Sequence, residues 1–192
     1  MFFKSNVIML DFLKAYGIVI PIWLVTVSML GMDNFPFAVC VGQSLIMLCV
    51  MYFGHVIGHF PIFENINPHI LMHHKHKFLP RWLELSIEST YPFIVSFIIY
   101  KISLSTFSQS IILAVPMLYD FVHILDYSIL GSDTHRQHHT YNNCNYEPIF
   151  MDVIFGTRCD NSLPYTSKNH QVIHSTMTIS LVLILKLIFN LT

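Results

Sequence analysis

Residues 133–157 read DTHRQHHTYNNCNYEPIFMDVIFGT, and what this stretch does governs how the rest of the chain is understood. His135, His138 and His139 place three imidazoles within five residues of a mostly apolar chain. A neutral imidazole offers a lone pair near neutral pH without burying a charge, which makes it the commonest metal-binding side chain. At i, i+3 and i+4 the three share one helical face, and that face can grip a metal. A solvated polar loop would carry the same residues, so the surrounding sequence has to decide.

Of 192 residues, 54% are hydrophobic and only 11% charged, with a mean hydropathy of +0.57. This balance is far from that of a soluble domain and points to a membrane protein. No internal duplication or low-complexity linker divides the chain, so a single membrane domain over 1–192 is expected. A formal net charge of -1 without a basic stripe excludes a nucleic-acid binder. The four cysteines form no C-x-x-C pair, which argues against a disulfide scaffold or a thiolate zinc site.

The apolar runs set the expected architecture. Residues 15–32 and 37–53, joined by a turn at Asp33-Asn34-Phe35-Pro36, read as a hairpin of two membrane helices. Lys4 and Lys14 put its starting side in the cytosol by the positive-inside rule. Residues 91–100 and 111–125 are apolar but short, and are expected to form a second hairpin that crosses wholly or in part. Residues 177–191 are apolar but interrupted by Lys186, so they span at a tilt, lie in the interface or pack on the other helices. The fold class is therefore all-α: a multi-pass bundle of about four spanning or partly spanning helices in two hairpins, under a cytosolic histidine-rich cap.

Ten of the twelve histidines fall in two windows, 55–76 and 123–139, at the ends of those runs. His55 and His59 are spaced i, i+4 and lie one helical turn apart, without the glutamate of H-E-x-x-H that a zinc protease needs. His69, His73 and His76 would share one α-helical face, with His74 pointing elsewhere on the turn. His123 ends an apolar run, where an ionisable group is costly unless paired. Eight or more imidazoles exceed what one metal takes, so two metals are implied. His170 and His174 stand apart from both windows and are expected at the surface.

In order, H-x-x-x-H, a middle histidine box, an isolated histidine, H-x-x-H-H, Asn145-Tyr146 and Asp152-Val153-Ile154-Phe155-Gly156-Thr157 resemble the fatty acid hydroxylase and sterol desaturase superfamily of membrane di-iron oxygenases. The matching stretch runs over about 54–157, and the hydroxylase-like core is expected at about 37–157. Glu147 stands where that family usually has glycine. The middle box departs by one residue: His69 is too far upstream of the His73-His74 pair, and Lys77 follows His76. His73 and His74 are preferred as the pair, with His69 reaching the site through a local bend and His76 in reserve. Of the family's His-Pro-x-Glu only Glu88 remains.

The resemblance implies two non-haem iron ions held by His55, His59, His69, His73, His74, His123, His135, His138 and His139. It implies O2 as co-substrate and hydroxylation or desaturation of a lipid such as a fatty acyl chain or sterol. The two electrons would come from an external donor such as cytochrome b5 and its reductase, and the membrane would be the endoplasmic reticulum if the source is eukaryotic. Asp152 and Asp120 are expected to accept the free ring N–H of ligating histidines, with Asp126 and Asp133 behind them, and Asn145 to support the site. Two competing readings stand beside this: a helical bundle holding haem for electron transfer, and a catalytically inactive relative.

Overall fold

The computed structural model describes residues 12–13, 16–32, 34–67, 69–75, 80–102, 106–124, 133–159 and 170–189, and no strand occurs among them. In chain order the helices are α1 (Val19–Ser28), α2 (Phe37–Gly58), a 3-10 turn (Pro61–Phe63), a π-helix (His69–His74), α3 (Arg81–Ile102), α4 (Gln109–Ile124), α5 (Asp133–Tyr141), α6 (Ile149–Phe155) and α7 (His170–Phe189). His76 and Asp126 lie outside the described residues, as do the side chains of His73, Glu88, Asp133 and His170.

The organising helix is α2. Its 22 residues, at 1.5 Å each, reach about 33 Å, and a hydrocarbon core is about 30 Å thick. With a mean hydropathy of 1.9 it is the one helix among the described residues that is long and apolar enough to cross a membrane. The expected span over 15–32 is cut short, because a turn at Gly17-Ile18 leaves only the 10 residues of α1. The apolar run at 91–100 belongs to a longer helix than expected, which starts ten residues earlier at Arg81.

Cys40, Gln43, Ser44, Met47, Leu48, Met51 and Tyr52 form the buried stripe of α2, at the alternating 3–4 spacing of a packed helix face. That stripe packs on α4 and α1, α3 packs on α4, and α7 closes against α1 and α4. The polar members of the stripe are paired. The Gln43 amide donates to the Thr106 carbonyl (3.0 Å) and accepts from the Ser108 amide (3.0 Å), clamping the turn between α3 and α4. Ser28 and Ser44 meet across α1 and α2 at 3.4 Å. The opposite face of α2 is also apolar, with Phe37, Leu45, Ile46, Phe53 and Ile57 exposed. A surface helix in water would carry polar residues there.

Candidate metal centre

Four segments deliver histidines to one place. His55 sits in the last turn of α2 and His59 immediately beyond it, their rings 5.0 Å apart, as the i, i+4 spacing requires. His69 and His74 bracket the π-helix, His123 is in the last turn of α4, and His135, His138 and His139 lie on α5.

The π-helix explains the irregular middle box. In α-helical geometry His69 would align with His73 and His74 would face away. Here Lys75 N–H reaches the carbonyl of Ile70, an i→i+5 bond, and each turn is one residue wider. His69 and His74 therefore share a face, their Nε2 atoms 3.2 Å apart. The extra residue is absorbed by the widened turn, and the expectation that His74 points away is corrected.

Nitrogens from these segments point at one another. His55 Nε2 lies 3.0 Å from His69 Nε2, and His135 Nε2 lies 2.8 Å from His139 Nε2. The donors fall into two groups whose ligand atoms are mutually within 4.8 Å: His55, His59, His69 and His138, and beside them His123, His135 and Glu147. Ligand atoms about 2.0–2.1 Å from one ion are themselves separated by roughly 3.0–3.4 Å, close to the spacings seen here. One ring proton on His69 could serve a single neighbour, whereas a cation satisfies several lone pairs together.

Hydrogen bonds on the far side of the rings set which nitrogen carries the lone pair. His138 Nδ1–H donates to the Cys144 carbonyl (2.7 Å), leaving the buried Nε2 as the donor atom facing the cluster. The Tyr119 hydroxyl reaches the carbonyls of Tyr146 (3.1 Å) and Glu147 (2.8 Å), so its oxygen accepts from His55 Nδ1–H at 3.1 Å and His55 Nε2 turns to the cluster. Burial, with His69 alongside, holds His59 down to about 3. Burial and neighbouring imidazoles likewise hold His74 and His138 well below the usual histidine range. Neutral rings are what metal ligation needs, and the residues present could hold a metal ion.

The loop between α5 and α6 is built to hold this arrangement. Asn142 ends α5 in the left-handed region (φ 56), the usual helix stop. Asn145 is buried, donates to the Thr134 carbonyl (3.1 Å) and accepts from Cys159 N–H (3.1 Å), tying the loop to both flanks. Asp152 was expected to accept from a histidine. Instead it accepts from the amides of Tyr146 (3.0 Å) and Glu147 (2.9 Å) and from the hydroxyls of Thr157 (2.6 Å) and Tyr52 (3.2 Å), so it shapes the loop backbone. Burial pushes its carboxyl up to about 7 against the pull of the Thr157, Glu147 and Tyr146 donors. Asp120 is buried three residues before His123, and the carboxylate within 3.1 Å of His123 Nδ1 is that of Glu147. Gly156 is the helix-ending glycine of α6, in the left-handed conformation (φ 70).

Cys144, Cys159 and His174 differ from the sequence expectation. Cys144 and Cys159 form a disulfide across the loop, although no disulfide scaffold was expected. His174, expected at the surface, is buried at 6% exposure. It lines a cleft with Trp23, Leu48, Val115 and Leu118, and this cleft also touches His123 and Glu147. Glu147 itself, an isolated acid in a loop, gave no periodic signal. No protein-family model, no curated protein and no solved structure matches this chain.

Proposed function

We propose that the chain is a membrane di-iron oxygenase that uses O2 and two external electrons to hydroxylate or desaturate a lipid. The observation that carries this reading is the convergence of imidazoles from α2, the π-helix and α5: His55 Nε2 lies 3.0 Å from His69 Nε2, and the ligand atoms of His55, His59, His69 and His138 all lie within 4.8 Å of one another. Iron bound there would activate O2 for abstraction of hydrogen from an unactivated C–H bond, chemistry that side chains alone do not supply. The protein's share is to hold neutral imidazoles in fixed tautomers through Tyr119 and the Cys144 carbonyl. The cleft lined by Trp23, Leu48, Val115 and Leu118 reaches His123 and suits an apolar chain laid beside the cluster.

The membrane setting is supported by α2 and by apolar side chains on the outward faces of the other helices, Phe97 and Ile98 on α3 and Leu183 and Leu187 on α7 among them. A multi-pass bundle whose shorter helices cross at a tilt or in part, with an external electron donor, completes the proposal. The Cys144–Cys159 bridge speaks against a cytosolic face, because a reducing cytosol keeps such pairs open. Thiol blocking during lysis, followed by mass analysis, decides it: a closed bridge moves the site to the oxidising side.

A haem protein is a poorer fit. Neighbouring rings lie edge to face with centroids 4.3 Å apart for His123 and His135 and 4.6 Å for His59 and His138, leaving no slab for a macrocycle between them. The functional test compares lipid extracts from cells expressing the chain and its His138→Ala form. The oxygenase reading requires an oxidised lipid that disappears in the variant, and identical extracts would contradict it.

A further inference from the structure

Glu147 is 4% exposed and has φ 58, a backbone conformation that a glutamate rarely adopts and a glycine takes without cost. A strained position kept by a charged, buried side chain asks what that side chain does. Its Oε2 lies 3.1 Å from His123 Nδ1 with hydrogen-bond geometry. Its Oε1 lies 3.3 Å from His135 Nδ1, an ion-pair distance whose geometry falls short of a hydrogen bond, so one carboxylate faces the same nitrogen of two rings on different helices. The other nitrogen of each ring is turned away from it. His135 Nε2 points to His139 Nε2 at 2.8 Å, and His123 Nε2 is buried.

We propose that Glu147 is a shared positioning carboxylate, accepting Nδ1–H from both His123 and His135 so that their Nε2 lone pairs face the metal position next to His139. The inference rests on the metal reading above and adds an asymmetry to it. The position served by His55, His59, His69 and His138 takes its orienting bonds from neutral oxygens, those of Tyr119 and Cys144. Its neighbour is oriented by an anion, which raises imidazole basicity and strengthens binding there. The backbone of Glu147 is pinned independently by Asp152 Oδ2, so its side chain can be changed without freeing the loop.

The test is a cobalt(II) titration of the full chain in detergent against a competing chelator, for the wild type, Glu147→Gln and Glu147→Gly. Glutamine keeps one acceptor but turns an N–H2 on the second ring, and glycine suits the backbone while removing the acceptor. The expected result is two cobalt sites in the wild type, and in both variants one site weakened about 10–100-fold with the other unchanged. Histidine 15N spectra should show the Nδ1–H tautomer of His123 and His135 lost in the variants, a change that a purely structural role would not produce. Two sites of wild-type affinity in both variants would overturn the inference. Outright disappearance of one site in Glu147→Gln would overturn it in favour of direct ligation by the carboxylate. A wild type that takes up no cobalt overturns the metal reading itself, and that arm is read first.

Discussion

His138 Nδ1 and the carbonyl oxygen of Cys144 lie 2.7 Å apart, a bond that fixes the ring of a buried histidine and consigns its Nε2 to the cluster. The carbonyl belongs to the residue that is disulfide-bonded to Cys159, so a disulfide staple stands directly behind a ring that faces the histidine cluster.

Replacing His138 by alanine should therefore do two things. It removes a donor from the group with His55, His59 and His69, and it leaves the buried Cys144 carbonyl without its partner, at a cost of about 1–3 kcal/mol. Metal analysis of the purified variant should show loss of at least one ion relative to wild type, with a lower unfolding midpoint. Full metal content would show that His138 is not a ligand.

Opening the Cys144–Cys159 bridge with Cys159→Ser should lower stability by about 3 kcal/mol, the value expected for a closed loop of 15 residues. The same variant should release metal faster into a chelator, because the loop that holds His138 and Glu147 loses its clamp. Unchanged release would separate the staple from the site.

Deleting Leu71 offers a test of the π-helix. The deletion shortens the His69-to-His74 spacing from five to four, so an ordinary α-helical turn would again bring both rings to one face. Metal binding should survive this deletion and fail in His69→Ala. If the deletion also abolishes binding, the widened turn has a role beyond absorbing a residue.

Acid should unfold the metal-free protein. His59 is held at about 3, and His74 and His138 are held low as well, against an ordinary value of 6.5 in the unfolded chain. The unfolded state then binds more protons below 6.5, so the stability present above that value is lost as pH falls from there towards 3. Unfolding midpoints in chelator between pH 7.5 and 4 should fall steadily, and a flat profile would mean that the rings are not buried neutral.

The two outer boxes were legible because α-helical periodicity governs them: His55 with His59, and His135 with His138 and His139, meet as spacing alone predicts. The middle box was not, since one inserted residue looks like damage in a linear pattern and like a π turn only once Ile70 and Lys75 are seen bonded. Asp152 binds loop amides where the sequence points to a histidine, because hydrogen bonds to loop amides leave no periodic trace. Glu147, Cys144 with Cys159, and the burial of His174 depend on long-range packing that short windows do not encode. Run length also misled at residues 15–32, where a turn at Gly17 and Ile18 breaks what hydropathy reads as continuous.

The measurement closest to the central claim is the metal content of the intact chain, purified in detergent from iron-supplied cells, with its visible spectrum recorded alongside. The account predicts about two non-haem iron ions per chain, as expected when the donor set exceeds what a single ion takes. A metal-free chain, or a haem band in its place, would contradict it.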